Sequence, residues 1–255
     1  MSVKLSKIQD TGFTSNGTIA LPCCPKFPVV PVFKLIVFVT VFVLALASTH
    51  FRFTNPSDGR FTPEAVINLQ HMSMFGPFIF HSMVELFTWR GWHVPDGFGD
   101  IAAAISLSWG AFSIESEQNQ AEYADLIHEL PANLLYLTSC VSLVEYYTGY
   151  RSIVASLLKG YFLLCFGTWY INSNYIPYSN TYLGEVPDPE WNQTDEIIIK
   201  DIIMAVFGCH LILGQIIVGL LFSTLYYIYS RNEPILSTME EDSEMEIILY
   251  EKCGK

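Results

Sequence analysis

From residue 197 to residue 229 the chain is apolar for 33 residues, with charge only at Lys200 and Asp201 near its start. A bilayer core is about 30 Å thick, and a helix crosses it in roughly 20 residues. This run therefore leaves room for first turns standing outside the membrane, for tilt, or for a kink near Gly208, Gly214 or Gly219. Shorter apolar runs cover residues 27–48, 64–87, 98–114, 126–147 and 153–176. The chain is 51% hydrophobic and only 15% charged, with a mean hydropathy of +0.34. A soluble domain carries about 25% charged residues. These features predict an all-α, polytopic membrane helical bundle of six spans. Residues 1–26 then form a cytosolic N-terminal segment and residues 27–229 the transmembrane domain. Residues 230–255 form an acidic cytosolic tail, expected to be disordered.

Six spans put both termini on one side. Lys4, Lys7, Lys26, Arg90, Arg151, Arg231, Lys252 and Lys255 then share that side, leaving Arg52, Arg60 and Lys200 opposite. Basic residues in short flanking segments favour the cytoplasm, so both termini are expected to be cytosolic. The membrane is the plasma membrane or one of the secretory and endosomal system. The Asn192-Gln193-Thr194 sequon then lies outside, where it can be glycosylated, and Asn16-Gly17-Thr18 does not.

Net charge is −12, which argues against nucleic acid. The partners expected are the lipid bilayer and other membrane proteins. The acids are grouped at residues 115–129, 185–201 and 233–251, as in solvated loops and tails. Glu244, Ile248 and Leu249 in the tail resemble a dileucine-type sorting signal. The adjacent Cys23 and Cys24 precede the first span, where palmitoylation and unmodified thiols are equal alternatives. Cys140, Cys165 and Cys209 read as small core residues.

His71, His128 and His210 lie on three different apolar segments that run in the same direction. They could meet in the outer half of the bundle. Three histidines plus water is a catalytic zinc arrangement; buried histidines also simply hydrogen-bond between helices. His81 and Glu85 are four apart and share a helix face. With Glu145 they mark the inner end, either as a proton relay or as a hydrogen-bonded interfacial cluster. Asn133 and Gln215 read as hydrogen-bonding glue between helices. Trp169, Tyr170, Tyr146, Tyr147, Tyr226 and Tyr227 read as interfacial belt residues. Pro131 reads as early in its span, where a missing amide costs least. The chain has no GxSxG elbow, Walker loop or Gly-rich dinucleotide motif, so no catalytic residue is nominated.

Asn68-Leu69-Gln70-His71-Met72-Ser73-Met74-Phe75 resembles the W-x-H-x-x-M-Y opening of a span in the transmembrane protein 45 family. Phe166-Gly167-Thr168-Trp169-Tyr170 is similar to that family's Q-G-T-W-F/Y. Pro189-Glu190-Trp191-Asn192-Gln193 is similar to its P-x-W-D loop, and Gly208-Cys209-His210 to its C-W-H. The motifs keep their order, and the resemblance covers roughly residues 29–229. It implies a seven-span fold without an established biochemical activity, and polar positions at His71, His128, Glu145 and His210. The chain departs from the pattern in three places. The family's first span has no counterpart, Trp109 stands where a family glutamate aligns, and Glu115 to Glu122 replace a histidine-rich stretch.

The primary expectation is a non-enzymatic structural or regulatory membrane protein acting through membrane partners. Two alternatives stand beside it. One is a membrane-embedded zinc hydrolase acting on lipid through His71, His128 and His210. The other is a proton-coupled transporter or channel using Glu145, His81 and Glu85.

Overall fold

The computed structural model describes residues 27–49, 53–55, 59–116, 122–173 and 193–253. Among them the regular structure is helical: α1 Val29–Ser48, α2 Pro63–Trp89, α3 Phe98–Glu115, α4 Glu122–Tyr147, α5 Ile153–Ser173 and α6 Gln193–Cys253. A single isolated bridge joins Thr54 and Phe61. Three helices are long and apolar enough to cross a membrane: α1, α5, and Ile197–Ile228 within α6. The chain divides into two compact units between His210 and Leu211. α6 begins in the first unit and makes up the described part of the second.

In the first unit α1 packs on α2, α2 on α3, α3 on α4 and α4 on α5. Each helix therefore lies against its neighbour in sequence, as short connections favour. Thr62 opens α2 by accepting the Ala65 amide at 3.2 Å, with Pro63 at the first helical position, where its missing amide is harmless. Gly97 opens α3 in the left-handed conformation at φ 77°. A Cβ there would run into the Tyr146 ring, so both backbone and packing require glycine. α3 buries mainly small residues, among them Ala102, Ala104, Ser106, Gly110 and Ala111. This brings α2 and α4 close: a Cβ on Gly110 would sit 3.2 Å from the Phe78 ring. The core gathers Ala111, Ile114, Ala132 and Leu135, with Met74, Leu107, Tyr136 and Phe166 packed around it.

Two prolines sit inside these helices, Pro77 in α2 and Pro131 in α4. Proline lacks the amide that would bond the carbonyl four residues earlier. For Pro77 that carbonyl is Ser73, and it accepts the Trp109 indole N–H from α3 at 3.0 Å. For Pro131 it is Ile127, and it accepts the Trp169 indole N–H from α5 at 3.3 Å. A tryptophan on a neighbouring helix thus replaces each hydrogen bond that a proline removes. In an apolar surrounding an unsatisfied carbonyl is expensive, so these two contacts tie α2 to α3 and α4 to α5.

Several sequence expectations change here. Over the acidic tail the backbone is helical through Cys253. Glutamate, methionine, leucine and lysine are good helix formers, and extending an existing helix avoids the cost of nucleation. Pro131 is not early in its helix, because α4 starts at Glu122, before the apolar run. Trp169 is not a belt residue; it is 0% exposed. Cys165 is buried as expected, but Cys140 and Cys209 are exposed. Asn133 is also exposed. Gln70 does the cross-helix bonding instead, donating to the Ser113 carbonyl at 3.0 Å and to Ser116 Oγ at 3.2 Å.

The proline–tryptophan pairing predicts a specific coupling. Trp169→Phe should lower unfolding stability by about 1–3 kcal/mol, the cost of an orphaned buried acceptor. In a Pro131→Ala background, where the helix supplies its own amide, the loss should shrink by at least half. Denaturant unfolding of the four proteins in mild detergent measures this, and equal losses in both backgrounds would remove the pairing.

Candidate functional site: a charged cluster at one end of the bundle

Lys34 lies in the second turn of α1, and Glu85 in the penultimate turn of the antiparallel α2. Lys34 Nζ reaches Glu85 Oε1 at 2.8 Å and Oε2 at 3.0 Å. His81, one turn before Glu85, places Nε2 3.5 Å from Glu85 Oε1. The expected His81–Glu85 pair is therefore present, with a lysine added from α1.

Glu145 is near the end of α4 and is 3% exposed. Its Oε1 accepts the Ser156 hydroxyl at 2.6 Å, and its Oε2 accepts Lys159 Nζ at 2.7 Å. Both donors lie on α5. A buried carboxylate stays charged only with such support, because desolvation otherwise favours its neutral form. Asp100, in the first turn of α3, accepts the hydroxyl of Tyr150 from the turn after α4. Burial first, and then that hydrogen bond, push the Tyr150 phenol well above its ordinary range. Tyr150 is thus held as a neutral donor at physiological pH. Asp100 and Lys159 lie close enough to act electrostatically on His81. One end of the bundle therefore collects charge from α1, α2, α3, α4 and α5.

Chemically the cluster behaves as a clasp. Glu85 and Glu145 each hold a lysine from the adjacent helix, so neither presents an open carboxylate. Among the described residues, every buried side-chain nitrogen and oxygen has a hydrogen-bond partner.

The three histidines of separate spans are placed differently. His71 Nδ1 lies 2.9 Å from the Ile67 carbonyl. A carbonyl only accepts, so Nδ1 carries the proton. His71 also lines a small cavity with Gln70, Met74, Ser113, Ile114 and Tyr170. His210 Nε2 lies 2.7 Å from Thr168 Oγ1. The Thr168 proton goes to the Leu164 carbonyl at 2.6 Å, so His210 Nε2 is the donor. Its ring also stands edge-on to Trp169 at 5.9 Å. His128 is half-buried near the start of α4. Among the described residues no three His, Cys, Asp or Glu side chains gather into a group that could hold a metal ion. The structure therefore does not bring His71, His128 and His210 into one ligand set. Asn192 lies outside the described residues. Glu244, Ile248 and Leu249 fall on the helical backbone of the tail.

Thr168, noted only for its motif, joins α5 to α6, and Trp169, read as a belt residue, joins α5 to α4. Lys34 and Lys159 prove to be ion-pair partners. Their sequence separations from Glu85 and Glu145, 51 and 14 residues, give no local signal. A lysine and a carboxylate at matching depths of adjacent antiparallel spans were the available clue. Compared with protein-family models and with curated proteins, the chain has no match.

Glu145 is the buried partner of its ion pair, and a buried carboxylate left without its cation costs more than removal of both groups. Lys159→Met should therefore lower unfolding stability by about 3 kcal/mol. The double variant Glu145→Gln/Lys159→Met should recover most of that loss. Thermal unfolding of the single and double variants in mild detergent reads the coupling directly.

Proposed function

We propose that the chain is a six-span membrane protein of the transmembrane protein 45 type, with a structural or regulatory rather than enzymatic role. In this reading α2, α3 and α4 cross the bilayer beside α1, α5 and the apolar stretch of α6. Both termini are cytosolic, and the protein resides in the plasma membrane or in secretory and endosomal membranes. The charged cluster then marks the cytosolic end, and the acidic tail is cytosolic.

The observation that carries the reading is the closure of Glu145 by Ser156 and Lys159. A carboxylate serving as a proton relay needs an exchangeable partner or a water path, and one serving in catalysis needs access to substrate. Glu145 is 3% exposed and engaged at both oxygens. Glu85 is likewise engaged at both oxygens. Such pairs hold helices in register, which suits a protein that works by presenting a stable surface to lateral partners.

Topology and partnership are tested separately. Glycosidase treatment should shift the mobility of the wild type and leave Asn192→Gln unchanged, while Asn16→Gln should behave as wild type. Glycan on Asn16 would reverse the topology. Affinity purification in mild detergent should return a reproducible membrane-protein partner, retained by wild type and weakened at least several-fold by Lys34→Met/Glu85→Gln. Repeated purification without any partner would overturn the functional reading while leaving the topology standing.

A further inference from the structure

One side of the α3–α4 pair carries a groove of about 440 Å³, lined by Ile101, Ala104, Ile105, Ser108, Trp109, Phe112, Tyr136, Ser139 and Leu143. It is a shallow depression, open along its length. The α3 positions recur at three and four residues, the spacing of a single helix face. From Ile101 to Phe112 the groove runs about 16 Å at the helical rise, close to half the roughly 30 Å bilayer core. It is therefore about one leaflet long, too short to match a spanning helix and long enough for a single lipid chain.

The floor and walls behave as apolar surface. Ser108 Oγ donates to Ser139 Oγ at 2.9 Å, and Ser139 Oγ donates to the Ala104 carbonyl at 2.8 Å. The serine protons are thus consumed within the floor. The Trp109 indole N–H is held by Ser73, which fixes the ring as a flat wall beside Phe112, at 5.6 Å between centroids.

One end of the groove is charged. Glu115 continues the same α3 face, three residues beyond Phe112, and its Oε2 accepts the Tyr136 hydroxyl at 3.1 Å. Glu115 is exposed. A carboxylate has about four lone-pair sites, and this one has used a single site on Tyr136. Trp109, Phe112 and Tyr136 add π faces, which attract cations. An anionic or phosphate-bearing head would be repelled here, whereas an ammonium head would meet a carboxylate and a phenol oxygen.

We propose that this groove binds a single-chain amphiphile with a primary ammonium head, the chemistry of a sphingoid-type long-chain base. The chain lies along Ala104 and Ser108, and the ammonium pairs with Glu115 beside Tyr136. The inference goes beyond the structural role above and depends only on α3 and α4 lying in the bilayer.

The test uses full-length protein in maltoside micelles. A long-chain primary amine brominated along its chain is titrated in and quenching of tryptophan fluorescence followed, since Trp109 lines the groove. The chain-matched brominated alcohol and a brominated lysophosphatidylcholine are titrated in parallel. The amine is expected to quench at a concentration at least 10-fold lower than either. Glu115→Gln, an exposed conservative change, is expected to abolish that preference. Ser108→Leu, which fills the floor, is expected to weaken amine binding at least 10-fold. Equal quenching by amine and alcohol, an unchanged preference in Glu115→Gln, or equal binding of the zwitterionic lipid would each overturn the proposal.

Discussion

Hydrogen bonding of the backbone inside an apolar layer is the constraint on which this bundle depends. A helix meets it automatically, except where proline removes an amide. Pro77 and Pro131 each leave one carbonyl open, at Ser73 and Ile127, and each carbonyl is taken by an indole N–H from the next helix. What would be a local defect becomes a contact with defined geometry. A tryptophan suits this role because it donates but does not accept, so its polar atom is fully used by one carbonyl. The rest of the ring is apolar and packs: Trp169 also stands edge-on to Phe207 at 4.8 Å. The Trp169 contact fixes the rotation of α5 against α4, and this sets where Thr168 points. Thr168 in turn orients His210.

Side-chain hydroxyls obey the same constraint. Ser82, Ser106, Thr138 and Ser142 all donate to a carbonyl four residues earlier in their own helix. A hydroxyl satisfied in this way occupies little volume and behaves as a small neutral residue. That is why α3 and α4 can bury so many of them while approaching closely. Ser139 instead spends its proton across the helix pair on Ala104 and so joins α3 to α4 without any large side chain.

Hydropathy located the helices because an apolar run of this length favours both helix formation and removal from water. The expected residues 98–114 and 153–176 correspond to α3 Phe98–Glu115 and α5 Ile153–Ser173. Boundaries failed where a helix runs on into polar sequence. Glu122 to Asp125 open α4, and the acidic tail continues α6, yet neither carries apolar periodicity. Intrinsic propensity and an existing helix end decide such segments. In the site, His81 and Glu85 were readable because four residues is one helical turn. Lys34 and Lys159 were not, since their partners depend on which spans are neighbours and at what depth. Trp169 was misread for a related reason. Position near a predicted interface suggested a belt, but burial depends on the neighbouring helix, and the open carbonyl beside each proline was the overlooked signal.

The two ends of the bundle differ in a way that bears on its orientation and its chemistry. At one end Glu85 and Glu145 are each paired with a lysine from an adjacent helix, and Asp100 accepts the Tyr150 hydroxyl. At the other, Glu115 is exposed and bonded to a neutral phenol, and its charge remains available to a ligand. Between them, the histidines occupy hydrogen-bonded positions rather than a common centre: His71 turns back to its own helix and His210 crosses to Thr168. The two rings are thus fixed by different helices. The groove between α3 and α4 is then the place where the bundle couples unneutralised charge to apolar surface. Recognition of an amphiphile follows from that combination more directly than from any ionisable residue buried in the core.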